Sequence, residues 1–338
     1  MPYQIWNRRY TGSKYKLSEW ISDLIAKNCE GNSFCDLFAG TAIISKQMID
    51  NVDEIYINDF LYSNEVIYKA FFEQSDFDYK KLNDLKKEFS KIQPTEIPEN
   101  YVSINFGNKF FSYNDALCIG FIREQIENNN DLNEKEKNIL LASLLYSLDR
   151  AANTVGHYDA YIKGKMISDA FVFDLITPYN FENKKVHISR LDANELAKKI
   201  SCDIVYIDPP YNSRQYSRFY HILENITKWE KPELFGTARK PKAENMSEYC
   251  RNSATKTFEE LINSLNCKYI VVSYNNTYNS KSSSSKNKIT LDDIRSILES
   301  RGSVSIFEKD HQYFNAGKTE LPNHKELVFI TKVGGQND

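Results

Sequence analysis

An apolar run, Ile204-Val205-Tyr206-Ile207, stops abruptly at Asp208-Pro209-Pro210-Tyr211. Two prolines carry no N–H and hold the backbone extended, so no strand continues through them. The run from Asp203 to Ile207 therefore reads as a buried strand. At its carboxyl end it presents a carboxylate, a prolyl carbonyl and an aromatic ring, and in open α/β sheets that end is where ligands bind. The flanking sequence supplies the rest of such a sheet. Leu17, Trp20, Ile21, Leu24 and Ile25 fall at helical spacing over residues 13–28. A short apolar run from Phe34 to Phe38 leads into Ala39-Gly40-Thr41, a helix over 41–50 and a second strand, Ile55-Tyr56-Ile57, ending at Asn58-Asp59. Strand, helix and strand in so few residues form a βαβ unit and predict a parallel sheet. The alternation resumes late in the chain, with strands at 186–188, 203–207, 268–274, 303–308 and 326–332. Helices at 192–199, 216–229, 256–265 and 290–300 separate them.

The middle of the chain breaks this rhythm. Helical patterns at 63–74, 78–91, 115–128 and 134–152 follow one another without an intervening strand. Thr154 to Ile162 and Met166 to Phe173 then alternate around a polar break, which predicts a β-hairpin or extended ribbon. The expected architecture is an α/β Rossmann-like sheet flanked by helices, built from residues 1–61 and 186–338. A mainly helical domain, residues 62–185, is inserted into it and carries the hairpin. The Ser-rich stretch 275–288 reads as a loop.

Composition narrows the function. Forty-three Lys and Arg against 46 Asp and Glu, a formal charge of −3, argue against bulk electrostatic coating of nucleic acid but leave room for a local basic face. No stretch of 18 apolar residues is present, and the N-terminus lacks an apolar signal core, so the expectation is a cytoplasmic protein with no membrane partner. The six cysteines form no CxxC pair and no zinc-like quartet, so they read as reduced thiols and no metal is expected.

Five places carry candidate chemistry. Asp208 and the Pro209 carbonyl, fixed by Pro210, suit an exocyclic amine on a flat base, with Tyr211 stacked on the ring. Two acceptors out of the base plane favour a more tetrahedral nitrogen whose lone pair can attack a methyl group. Asp36, Phe38, Ala39, Gly40 and Thr41 form a strand-end carboxylate and a small-residue turn that a ligand can approach closely. The GxGxxG and GxxxxGK[ST] patterns are both absent, which favours a nucleoside without pyrophosphate. Asn58-Asp59 is placed to accept ribose hydroxyls. Asp192-Ala193 serves either an adenine amino group or a helix N-cap. Tyr10, Gly12, Ser13 and Lys14 precede the first helix, where Lys14 could pair with a ligand carboxylate. Each of the last four is also what an ordinary loop supplies; their joint placement makes the case.

In this order the motifs resemble those of the Dam-like, or D12 class, adenine-N6 DNA methyltransferases, in a restriction–modification branch. Arg9-Tyr10-Thr11-Gly12-Ser13-Lys14, Asp36 to Thr41, Asn58-Asp59 and Asp208-Pro209-Pro210-Tyr211 carry the likeness. Asn212 to Tyr216, Phe219-Tyr220-His221 and Leu148 to Tyr158 support it. The resemblance implies S-adenosylmethionine as methyl donor, with Lys14 and Asp36 near its methionine end. Phe38 to Gly40 would shape its pocket, Asp59 would hold the ribose and Asp192 would approach the adenine. It implies transfer to a flipped-out adenine of double-stranded DNA, and residues 62–185 as the target-recognition domain. Arg9, Arg150, Asn153, His157, Tyr158, Lys163, Lys165, Arg214 and Arg218 are the DNA-binding candidates. They are joined by basic residues over 214–242 and by Lys281, Lys286 and Lys288. A monomer or weak dimer is expected, with a separate cognate restriction endonuclease. Methyl transfer to RNA bases and a non-catalytic nucleic-acid-binding module are the alternatives.

Overall fold

The computed structural model describes residues 3–164, 166–276, 286–310 and 324–334; Lys165 and Lys281 lie outside them. The chain forms two compact units. One comprises Met1–Ser13, Leu61–Glu182 and Tyr216–Glu244; the other comprises Lys14–Phe60, Asn183–Gln215 and Asn245–Asp338. The first thus unites the middle of the chain with two segments, 1–13 and 216–244, that the sequence alone assigned to the α/β core. Among the described residues no helix is long and apolar enough to cross a membrane.

The second unit is built on one sheet. Its strands are β1 (Ser33–Asp36), β2 (Glu54–Asn58), β3 (Lys185–Ser189), β4 (Ile204–Ile207), β5 (Tyr269–Asn275), β6 (Gly302–Asp310) and β7 (Lys325–Val333). Their order is β3-β2-β1-β4-β5-β7-β6. The first five run parallel, and β7 lies antiparallel between β5 and β6. Every residue of β4 and β5 is buried, as continuous apolar runs require when a sheet is covered on both faces. Val205, Ile207, Ile270 and Val272 pack in one core with Phe258, Leu261 and Ile262 of the helix Ala254–Ser264, and with Ile294 and Leu298 of the helix Leu291–Glu299. Strand order reverses between β1 and β4. Asp36 and Asp208 lie at the carboxyl ends of these two strands, beside the switch point where open α/β sheets bind ligands.

The first unit is helical, with the buried helix Glu134–Ala151 at its centre. A reciprocal capping box between Asn133 and Glu136 starts that helix. The buried Lys135 ammonium donates to the carbonyls of Lys69, Ala70 and Glu73, satisfying the end of the helix Tyr62–Phe72; burial lowers its pKa to about 8. The sequence reading missed the short helix Tyr101–Phe106, which Asn100 caps. The helix expected over 216–229 is two pieces, Tyr216–Phe219 and His221–Lys228, broken at Tyr220.

The expected hairpin is absent: the described residues from Thr154 to Phe173 contain no strand. The reason is where this segment and its continuation find hydrogen-bond partners. Helix side chains accept its backbone N–H groups, Asp115 from Ala170, Ser147 from Asp174 and Ser143 from Ile176. Alternation in sequence implies a strand only where a neighbouring strand completes the ladder.

Candidate active site

At the end of β4 the proline pair carries the chain into Tyr211, whose carbonyl accepts from the Lys288 N–H at 2.7 Å. Tyr211 turns inward. Its ring meets Tyr274 edge-on at 4.5 Å, and its hydroxyl donates to Asp208 Oδ1 at 2.5 Å. Lys14 Nζ donates to the same hydroxyl at 2.6 Å and lies 2.9 Å from Asp208 Oδ1 and 3.3 Å from Glu326 Oε1. It sits 4.8 Å from the ring centroid, so it engages the hydroxyl end and not the ring face. Glu326, on β7, also accepts from Ser273 Oγ of β5 at 2.8 Å. Lys14, Asp208 and Glu326 are all buried or nearly so, with side chains 6%, 15% and 4% exposed.

One ammonium thus serves two carboxylates. Burial alone would lower the Lys14 pKa, but Asp208 and Glu326 outweigh it and raise it on balance. Burial raises the Asp208 carboxyl, Lys14 counteracts and Glu326 adds to the rise. Burial and the same two acids push the Tyr211 hydroxyl well up. The sequence reading expected Lys14 to meet a ligand carboxylate; here it holds the protein's own.

Asp36, at the end of β1, is buried. Its Oδ2 accepts from Ser45 Oγ at 2.7 Å, and among the described residues its Oδ1 has no hydrogen-bond donor. Burial, with Asp208 and Asp59 nearby, raises its pKa to about 7. The turn after β1 depends on Gly40, whose φ of +54° lies in the left-handed region. Asp59 Oδ2 accepts the Gly40 N–H at 3.0 Å and Oδ1 that of Phe60 at 2.8 Å, so this carboxylate shapes the turn. Asn58 is buried: its amide donates to the carbonyls of Leu37 and Leu191 and accepts from Ser189 and Leu191. It staples the ends of the strands. Asp192 caps the helix Ala193–Ala197 through the N–H groups of Asn194 and Glu195, the second of the two roles foreseen for it. Phe38 packs edge-on against Tyr249 at 5.1 Å, and Tyr249 donates to Asn194 at 2.7 Å.

The structure therefore brings together Lys14, Asp36, Phe38 to Thr41, Asp59 and Asp208 to Tyr211 within the second unit. Tyr10, Gly12 and Ser13 belong to the first, where Tyr10 stacks on Tyr220 at 5.0 Å and the Tyr216 hydroxyl donates to the Thr11 carbonyl. Glu326, Ser273, Ser45 and Tyr249 were not singled out in the sequence. The available signal was weak: Ser273 and Glu326 are polar residues beside apolar runs in strands that carry other polar residues as well.

Several DNA-binding candidates turn inward. Arg9 donates to the carbonyls of Ala152 and Thr154. Asn153 is buried against the carbonyls of Lys109 and Ile162, and Tyr158 is buried with its hydroxyl on Asp149 at 2.7 Å. These three brace the first unit. His157 stacks on Phe219 at 4.5 Å, and Arg218 donates to the Pro241 carbonyl. Arg150 and Lys163 are exposed, while Arg214, in the second unit, is half-buried. The basic stretch 214–242 is partly neutralised: Lys228 pairs with Glu230 and Glu244, Lys231 with Glu124, and Lys240 with Asp159.

Residues 10–312 match the family described as D12 class N6 adenine-specific DNA methyltransferase. The chain belongs to that family. This D12 methyltransferase is 33% identical to the type II methyltransferase M.NlaIII of Neisseria lactamica, over 94% of this chain and 95% of the relative. It is 28% identical to the type II methyltransferase M.CviAII of Paramecium bursaria Chlorella virus 1, over 95% and 97%. It is 34% identical to the modification methylase StsI of Streptococcus sanguinis over 79% of its length, spanning 44% of that longer protein.

Proposed function

We propose that this D12 methyltransferase transfers a methyl group from S-adenosylmethionine to N6 of a flipped-out adenine in double-stranded DNA, at one short sequence, as the modification enzyme of a restriction–modification system. The observation that carries the reading is Asp208 at the sheet's switch point, buried beside Lys14 and Tyr211 and followed by two prolines. Relatives named type II methyltransferase and modification methylase support the biological setting. Target recognition falls to residues 62–185.

The residues around β1 fit the donor. A buried carboxylate oxygen without a partner, Asp36 Oδ1, is an acceptor waiting for a donor or a cation. The Gly40 turn admits close approach, Phe38 offers an apolar face, and the Asp59 carboxylate stands at that turn, an acceptor suited to ribose hydroxyls. When bound, S-adenosylmethionine supplies an activated methyl group on a sulfonium. The protein does the rest by position and fixed charge. Asp208 and the Pro209 carbonyl accept hydrogen bonds from the two N–H groups of the adenine amine, drawing the nitrogen toward a tetrahedral shape. Tyr211 presents its ring beside the base. As the N–C bond forms and the methyl group leaves the sulfonium, the Asp208 carboxylate offsets the positive charge developing on the nitrogen, which then releases one proton to give the neutral methylamine.

The experiment that tests the reading offers a labelled methyl donor in turn to unmethylated DNA, RNA and protein, then maps the modified bases. Label is expected at N6 of adenine within one DNA sequence; incorporation into RNA alone overturns the reading.

Asp36 gives a second test. Its folded pKa of about 7 lies above its ordinary value of 3.8, so the stability associated with it is full below about pH 4 and lost as pH rises through 7. At about 1.4 kcal/mol per pKa unit, the loss is of order 4 kcal/mol. Asp36→Asn is expected to leave stability at pH 4 little changed and to raise it at pH 8, measured by urea unfolding. Calorimetry should show donor affinity falling at least about tenfold, the loss of one charge-assisted contact. Unchanged affinity would remove Asp36 from the donor site.

A further inference from the structure

Asp208 Oδ1 already has two donors, the Lys14 ammonium at 2.9 Å and the Tyr211 hydroxyl at 2.5 Å. The adenine amine needs that carboxylate as its acceptor. A carboxylate keeps a second oxygen for the amine, but the Lys14 ion pair draws on the Asp208 charge, so full engagement favours a looser hold by Lys14, while an ammonium left without a partner in a buried cluster is strongly disfavoured. Glu326 Oε1 stands 3.3 Å from the same nitrogen. Its strand is paired on both sides, with Glu326 opposite Asn275 of β5 and Lys309 of β6, and Ser273 Oγ orients its carboxylate. The acceptor is therefore fixed by the sheet, while the lysine stem can move.

We propose that Glu326 is a positioning residue for methyl transfer, taking over Lys14 when the target amine occupies Asp208. This rests on the assignment of Asp208 as the amine acceptor. Sharing one ammonium between two acids lets the lysine keep a partner in both states, so freeing Asp208 does not create a buried unpaired charge. Without Glu326 the ammonium would pair with Asp208 alone and hold it closed. The charged and titratable groups facing the cluster are Lys14 from the segment before the first helix, Asp36 from β1, and Tyr206 and Asp208 from β4 and its end. Among the described residues, Tyr211 from the proline turn, Tyr274 from β5 and Glu326 from β7 complete them.

The test is Glu326→Gln in the full chain, with Glu326→Asp as the conservative variant and Asp208→Asn as reference. Single-turnover methylation of the mapped target is followed against pH. Flipping is read separately from the fluorescence of a duplex carrying 2-aminopurine at the target position, and donor binding by calorimetry. Glu326→Gln is expected to slow transfer roughly ten- to hundredfold and to reduce the 2-aminopurine signal, with donor affinity unchanged. The Glu326 charge raises the Asp208 carboxyl, so the acid limb of the rate profile should move to lower pH when that charge is removed. Glu326→Asp should restore part of the rate and return the limb. A wild-type rate with an unmoved limb overturns the proposal. So does a uniform loss across pH that is accompanied by loss of donor binding and not relieved by Asp. If Glu326→Gln is silent while Asp208→Asn is dead, only the Glu326 proposal falls; if Asp208→Asn is fully active, the assignment beneath it falls.

Discussion

Asp208→Asn is expected to abolish methyl transfer, by at least about a thousandfold, while DNA binding changes no more than a few-fold. The substitution keeps the size of the side chain. It removes the charge that would balance positive charge on the attacking nitrogen, and it places an amide N–H₂ where an acceptor is needed. The change is clean because Lys14 retains Glu326 at 3.3 Å, so no ammonium is stranded when Asp208 loses its charge. Folding should therefore survive, and fluorescence anisotropy with the target duplex should report near-normal binding. A variant that methylates at the wild-type rate would refute the assignment of Asp208 as amine acceptor.

Lys14→Met is expected to cost about 3–5 kcal/mol of stability at pH 8, the usual consequence of stranding a buried charge. Two acids, Asp208 and Glu326, would share one pocket with no cation. Burial already raises the Asp208 carboxyl and Lys14 opposes the rise, so removing Lys14 raises it further. A carboxyl raised in the folded state loses its stabilising contribution as pH climbs through the folded pKa. The penalty should therefore be greatest in mild alkali and shrink toward pH 5, as the pocket takes up a proton. In the native protein the Lys14 pKa is itself raised, so the ammonium remains charged throughout this range. Urea unfolding of Lys14→Met and of the double variant Lys14→Met/Asp208→Asn, at pH 5 and pH 8, checks the account. The double variant should recover part of the loss at pH 8. An equal penalty at both pH values would show that packing, and not charge, sets the cost.

The two variants together probe what the sequence made legible and what it did not. The central parallel strands β4 and β5 were readable because each carries an apolar run that burial on both faces imposes. The positions of Asp36 and Asp208 were readable for the same reason: a carboxylate at the end of a central parallel strand lies at the switch point by topology. The ribbon over 154–173 was misread because alternation records only which residues face inward, whereas helix side chains complete the hydrogen bonding around this segment. Asn58, Asn153 and Tyr158 look like ligand contacts in sequence, yet each is buried, with the Asn58 amide, the Asn153 amide nitrogen and the Tyr158 hydroxyl hydrogen-bonded to the protein itself. Polar type alone does not distinguish a residue that binds from one that braces. The charge of the basic stretch 214–242 was likewise not fully legible, since Glu124 and Asp159, distant in sequence, pair with Lys231 and Lys240.

The sequence by itself determined the α/β sheet, the family motifs and the residue types at the strand ends, because periodicity, turn chemistry and proline act over a few neighbouring residues. Only the tertiary structure decided that Lys14 and Glu326, near opposite ends of the chain, close on Asp208 and Tyr211. Charge pairing in a buried site depends on distances of about 3 Å, and those arise only when β7 inserts between β5 and β6 and carries its glutamate into the cluster.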